Sequence, residues 1–303
     1  MDNGRAILLM LLAMAGFAAE DALIKAASAE LPVGQVIAAI GLGGALVFGL
    51  ATLWRGEALA SRDLLDPWVL LRNGSEMLAT ATYVSALALI PLSTASAILQ
   101  GVPLVVTMGA ALVLGETVGW RRWSAVAVGL AGVLLIVRPG MEGFAPASLL
   151  AVFALVALAA RDLATRRVPA RVSVAQLSAW GFASLVPAGA ALLLLPGQDA
   201  LWPSREGALT VLAALLFGLV GYAAITAAMR TGEVSAVAPF RYARLVFALL
   251  IAVAFFDERP DALTLAGAGV VIASGLYTLW RERRRRGGGP PPRPILTQTE
   301  PVP

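Results

Sequence analysis

The sequence predicts an all-α integral membrane protein in which ten transmembrane helices form two inverted-topology five-helix repeats. Three observations predict it. The chain of 303 residues is 59% hydrophobic and only 14% charged, with a mean hydropathy of +0.81, whereas a soluble domain is nearer half apolar and a quarter charged. Its apolar residues fall in continuous runs of the roughly 20 residues that a helix needs to cross a bilayer, not in the alternating pattern of a barrel strand. The run ends repeat: Leu114-Gly115-Glu116 closes one run and Phe256-Asp257-Glu258 another, 142 residues later by number. A Gly-bearing run follows each, with Gly129 and Gly132 in the first and Gly267, Gly269 and Gly275 in the second. Five spans per half is odd, so the second half enters the membrane from the opposite side, an architecture of secondary transporters.

The spans read from the sequence are 6–26, 33–54, 67–90, 92–114, 120–137, 146–165, 174–195, 207–229, 234–256 and 263–280. Span 1 has the length of a signal-peptide core, but no small-x-small cleavage site leading into a soluble domain follows it. Leu31-Pro32-Val33-Gly34 separates spans 1 and 2. Ile90-Pro91-Leu92-Ser93 is so short that spans 3 and 4 form an antiparallel hairpin. Arg138-Pro139-Gly140 ends span 5 and Pro196-Gly197 ends span 7. One repeat is expected over 1–140 and the second over 141–281. Residues 282–303 begin with a run of Arg and continue into Gly and Pro; such a segment buries no apolar surface and is expected to be a disordered cytoplasmic tail.

Orientation follows from the basic residues of the loops. Arg5, Arg55, Arg62, Arg121, Arg122, Arg166, Arg167, Arg171 and Arg230 lie on one side, with the Arg-rich tail. Lys25, Arg138, Arg205 and Arg259 lie on the other. Both termini are therefore expected in the cytoplasm, with the chain integral to the cytoplasmic membrane. The basic tail reads as a topology anchor near anionic lipid and not as a nucleic-acid arm. Trp54, Trp68, Trp120, Trp123, Trp202 and Trp280 stand at span ends, as an interfacial belt does.

With no His and no Cys, the chain lacks the commonest general base, the thiolate nucleophile and the usual ligands of a structural metal. Gly41-Leu42-Gly43-Gly44 lies inside span 2 with no strand before it, so it reads as a helix-packing surface, not a phosphate loop. No Walker A lysine occurs. An enzyme is not expected, and neither a cofactor nor a metal is called for.

Ionisable residues at bilayer depth cost roughly 2.5–3.5 kcal/mol each on insertion scales and face a cavity or a partner. Arg241 and Arg244 share a face of span 9, either as a clamp for a substrate carboxylate or phosphate or as members of interhelical ion pairs. Arg72 and Glu76 stand at i,i+4 in span 3 and can satisfy each other; Glu76 is alternatively a proton carrier or the partner of a substrate amine. Asp21 and Lys25 are expected to pair, which leaves Glu20 as the cavity-facing acid of span 1. Arg161 and Asp162 read as a cytoplasmic interface cluster beside Arg166 and Arg167. Gln100, Tyr83, Tyr222, Tyr242 and Trp180 are uncharged candidates for hydrogen bonding or stacking a ligand, each with packing as the alternative. Glu116 and Glu258, at span ends, are read as capping or pairing residues.

The acid-terminated span followed by a Gly-rich span, twice in one chain, resembles the EamA-type transporters of the drug/metabolite transporter superfamily, over nearly the whole length. The segment Pro239-Phe240-Arg241-Tyr242-Ala243-Arg244-Leu245 is similar to a branch of that family associated with S-adenosylmethionine. The resemblance implies alternating access to a midplane cavity and a small organic substrate. Basic and acidic groups together in that cavity suit an amino acid or an amino-acid-derived zwitterion. A vitamin or a drug-like compound is the alternative cargo, and an embedded enzyme or a scaffold the alternative class. A homodimer is compatible with the sequence.

Overall fold

The computed structural model describes residues 2–286. Among them every regular element is helical. The helices are α1 (Asn3–Glu30), α2 (Val33–Trp54), α3 (Pro67–Leu89), α4 (Leu92–Leu99), α5 (Val102–Val113), α6 (Trp120–Val137), α7 (Ser148–Thr165), α8 (Val174–Leu193), α9 (Arg205–Thr231), α10 (Val234–Val237), α11 (Ala243–Phe256) and α12 (Ala262–Arg286). Helix α12 runs through Arg286, five residues into the expected tail; the rest of that tail lies outside the described residues.

Two expected spans are not continuous helices. Span 4 is α4 and α5, broken at Gln100 and Gly101, and span 9 is α10 and α11, joined by a 3-10 segment, Ala238–Tyr242. Proline explains both breaks. Pro103 stands in the first turn of α5 and Pro239 in the first turn of the 3-10 segment. A proline ring has no N–H to give and clashes with the carbonyl four residues earlier. The backbone at the first break tightens accordingly, with Gln100 N donating to Ala97 O and Gly101 N to Ile98 O.

Nine segments among the described residues are long and apolar enough to cross a membrane. The remaining expected span is α3, whose 23 residues include Arg72, Asn73 and Glu76. At 1.5 Å per residue it is about 34 Å long, enough to cross. Its polar residues turn toward α7 and α8, against which α3 packs.

The helices pair as α1 with α9, α2 with α8, α3 with α7, α4 with α11, and α6 with α12. In each pair one member comes from each half. Numbered within their halves, the spans pair first with third, second with second, fourth with fourth and fifth with fifth, as a two-fold axis in the membrane plane requires. The match extends to individual turns. Gly115 and Asp257 both adopt the left-handed conformation, with φ of 71° and 51°. Glu116 N donates to Ala110 O and Glu258 N to Ala252 O, both at 3.1 Å. Each of these is a pair 142 residues apart. The on-axis helices approach closely through glycine. A Cβ on Gly34 would lie 2.4 Å from Gly189 O, and one on Gly267 2.7 Å from Gly132 O.

Large apolar side chains cover the outside, where lipid replaces water as solvent. Trp202 is 99% and Trp54 93% exposed at helix ends, as interfacial anchors are. With an even number of spans, Asn3 and the end of α12 share one face, called here the terminal face. Leu31, Leu87, Ile90, Leu92 and Ile98 close a buried apolar cluster toward the opposite face.

Candidate functional site

At the centre of the bundle a buried ion pair joins the two halves. Arg244 of α11 donates to both carboxylate oxygens of Asp21 of α1, through Nη2 at 2.8 and 2.7 Å and through Nε at 3.2 Å. Tyr83 of α3 donates its hydroxyl to Asp21 Oδ2 at 3.1 Å. The Arg244 guanidinium also lies 5.5 Å from the ring centroid of Phe17, a cation–π contact. The Asp21 side chain is only 3% exposed, against 27% for Arg244. Asp21 is nine residues from the end of α1, about 14 Å along the axis. That places the pair near the middle of a hydrocarbon layer about 30 Å thick.

This corrects the expected Asp21–Lys25 pair. Helical spacing permits it, but Asp21 turns inward to the guanidinium of α11. Lys25 instead donates to Leu87 O at 2.9 Å and Ile90 O at 2.7 Å. Those carbonyls end α3 and carry the negative end of its dipole, which attracts a cation.

Glu20, next along α1, points elsewhere. Its carboxylate lies over Gly218 of α9, where a Cβ would come within 2.4 Å of Oε1. Glu20 makes no hydrogen bond or ion pair among the described residues, and its charged neighbours are Asp21, Arg244 and Glu76. A side chain at Gly218 would occupy the space the carboxylate uses, so the small residue is what admits the acid there.

Nearer the terminal face, four charges form a second network. Arg72 Nη2 bonds to Glu76 Oε2 at 3.1 Å, and Arg161 Nη1 of α7 bonds to Glu76 Oε1 at 3.2 Å. Arg161 also donates to Asp162 Oδ1 at 3.0 and 2.8 Å. Arg72 reaches further, to Asn73 Oδ1 at 2.9 Å and Leu177 O at 3.3 Å, and fills the space beside Gly181. Arg161 is therefore no separate interface cluster: Glu76 draws it into the interior. Its sequence position near the end of span 6 concealed this, because α3 offers a carboxylate within its reach.

Arg241, in the 3-10 segment, is exposed and makes no hydrogen bond or ion pair among the described residues. Arg161, Asp162 and Arg244 are its charged neighbours. The break in span 9 separates Arg244, which meets Asp21, from Arg241, although i,i+3 spacing on one continuous helix would have aligned them.

The uncharged candidates divide. Gln100 Nε2 donates to Tyr242 O at 3.1 Å across the two helix breaks. Trp180 Nε1 donates to Leu59 O at 2.8 Å and holds the α2–α3 connection against α8. The Tyr222 hydroxyl bonds Ser178 Oγ at 2.9 Å, and its ring meets Phe48 edge-on. The Tyr242 hydroxyl is buried with no hydrogen-bond partner among the described residues and lies over Gly275. Trp180 and Gln100 thus bond backbone, whereas Tyr83 joins the central ion pair.

Asp21, Arg161 and Asp162, which the sequence assigns to a pair with Lys25 and to an interface cluster, stand in these networks instead, and so does Asn73, which no sequence signal marks. The repeat itself marks three of them. α2 and α8 begin 141 residues apart, and at that offset Glu20-Asp21 aligns with Arg161-Asp162. Two ionisable residues recur at one site of the repeat, on α1 and α7.

Comparison with known proteins agrees with this two-fold plan. The model of the EamA-like transporter family matches twice, over residues 4–138 and 145–280. The chain is 30% identical over 280 residues to the pseudopaline exporter CntI of Pseudomonas aeruginosa, covering 91% of this chain and 96% of that one. It is 30% identical over 241 residues to a riboflavin transporter of Rhizobium johnstonii, 79% of each chain. It is 28% identical over 207 residues to an S-adenosylmethionine uptake transporter of Rickettsia felis, 67% of this chain and 68% of the other. A solved structure titled only as the crystal structure of a protein superposes with a TM-score of 0.59 at 21% identity, over 94% of this chain and 99% of that one, and so shares the fold. With both halves matched and the helices paired across a two-fold axis, the chain belongs to the EamA-like transporter family.

Proposed function

We propose that the protein is a secondary transporter of small organic zwitterions, amino acids or amino-acid-derived metabolites such as S-adenosylmethionine. It works by alternating access between its two halves, without ATP or a cofactor. The observation that carries this reading is that Glu20 and Arg241, opposite charges that both neighbour Arg244, make no hydrogen bond or ion pair among the described residues. A zwitterion compensates both at once: its ammonium meets Glu20 with Glu76 nearby, and its carboxylate meets Arg241. Asp21 already saturates Arg244, so the substrate-carboxylate role passes from Arg244 to Arg241. Glu76, Arg72 and Tyr83 hold the walls in place, while Tyr222, Tyr242, Trp180 and Gln100 shape them. A planar neutral cargo would offer a counter-charge to neither group.

In the cell the chain lies in the cytoplasmic membrane with both termini in the cytoplasm, as its loop arginines favour. Proteoliposomes test the substrate: counterflow of S-adenosylmethionine or a dipolar amino acid, with riboflavin as comparison. Transport of riboflavin alone, with no zwitterion competing, would overturn the zwitterion reading.

A further inference from the structure

Each half of the molecule carries a basic residue near the end of its first span and an acidic residue just after its fourth. In the first half these are Lys25 and Glu116. At the repeat offsets of 141 and 142 residues they correspond to Arg166 and Glu258. Each base works with the acid of the other half, but the two sets are in different states.

On the opposite face the set is engaged on a helix hairpin. Glu258 Oε1 accepts from Leu92 N at 2.6 Å, and its Oε2 from Ser93 N at 3.0 Å and Ser93 Oγ at 2.7 Å. It thereby caps the first turn of α4, the positive end of that helix. Lys25 caps the last turn of α3. The α3–α4 corner is thus gripped at both its ends, its acid coming from one half and its base from the other. Ser93 and Leu92 are nearly inaccessible beneath it.

On the terminal face, among the described residues, the matching set is not on its hairpin. Glu116 and Arg166 bond each other at 3.0 Å, with both side chains about half exposed (48% and 49%). The corner they would grip joins α9 to α10. There Glu233 N donates to Asn3 Oδ1 instead. The sequence of that corner keeps the pattern of the first, with Val234-Ser235 in place of Leu92-Ser93.

We infer that these two acid–base sets are alternating clamps: Glu258 and Lys25 hold the opposite face shut, and Glu116 and Arg166 take the α9–α10 corner when the terminal face shuts. In an inverted repeat the two end states exchange the conformations of the halves. One set engaged and its counterpart idle at the surface is the asymmetry such an exchange requires. The inference rests on the transporter reading but not on the identity of the cargo.

Single-cysteine labelling tests it, since the chain has no cysteine of its own. Ala95 is fully buried in the first turn of α4. In A95C protein held in membrane vesicles, labelling by an impermeant thiol reagent reports opening at the opposite face. E258Q removes the charge and one acceptor from the engaged clamp, and the labelling rate rises by about tenfold. Adding E116Q weakens the other clamp, on the far face, and returns the rate toward that of A95C alone. A purely local cap would give the first effect without the second, so an unchanged rate in the double variant would overturn the inference. E258D, which retains the charge, keeps labelling slow, and thermal melting of each purified variant identifies those that fail to fold. Because labelling needs no substrate, this outcome stands apart from any result with zwitterions in proteoliposomes.

Discussion

Gln100 and Tyr242, 142 residues apart, are joined by a hydrogen bond from the side-chain amide of one to the carbonyl oxygen of the other. The same interval separates Gly115 from Asp257 and Glu116 from Glu258, so the bond links equivalent positions of the two halves. Each residue stands where its span is broken. A break frees carbonyl groups that the helix no longer uses, and inside a bilayer no water is at hand for them. Gln100 supplies the missing donor, and the only place where two inverted halves present equivalent residues to each other is on their axis.

Replacing Gln100 with Leu removes that donor and leaves the Tyr242 carbonyl buried without it. The expected cost is about 1–3 kcal/mol. Thermal melting of the purified protein measures it, and an unaltered midpoint would show that another group already satisfies the carbonyl.

Breaking the Asp21–Arg244 pair from one side leaves a single charge near the midplane. D21N or R244Q should each destabilise the protein by about 3–5 kcal/mol. The apolar double replacement D21L/R244M should recover much of that loss, because isosteric apolar residues in place of a buried pair are often neutral. It should nevertheless abolish transport, since the charge between Glu20 and Arg241 is gone. Melting curves and proteoliposome flux separate the two effects.

Glu20 and Arg241 behave differently because neither has a partner among the described residues to abandon. E20Q and R241Q should stay within roughly 0.5 kcal/mol of the parent in stability, while zwitterion counterflow falls tenfold or more. Retained flux in both would remove them from the substrate path.

Two carboxylates outside the spans make the molecule sensitive to acid. The Arg171 hydrogen bond holds the Asp63 carboxyl below its usual range, and the Arg138 hydrogen bond does the same for Asp261. Asp63 anchors the α2–α3 connection, and Asp261 also accepts from Thr264 N at 2.7 Å in the first turn of α12. A lowered folded-state pKa means that each contributes its full stability above the unfolded value, about 3.9. That contribution fades as pH falls through the lowered folded value. The melting temperature should therefore drop as the medium is acidified below about pH 4, and the D63N/D261N variant should show a shallower drop. Equal slopes would mean that other groups govern the acid transition.

The amino-acid order alone determined the fold class, the ten spans, the two-fold repeat and the set of residues too polar for lipid. All of these depend on local composition, on the cost of charge in hydrocarbon and on chain parity. It also selected α3 as a helix with work to do, since Arg72 and Glu76 stand in a span otherwise long enough to cross. Only the tertiary structure decided the partners. Asp21 is four residues from Lys25 and 223 from Arg244, yet it binds the distant one, because α1 turns that face toward α11. Arg161 joins Glu76 for the same reason, across α3 and α7. Helical spacing lists the neighbours a side chain can reach along its own helix. Which charge it meets depends on the rotation and depth of the helix packed against it, and those are set by the small residues at the crossings and by the proline breaks in spans 4 and 9.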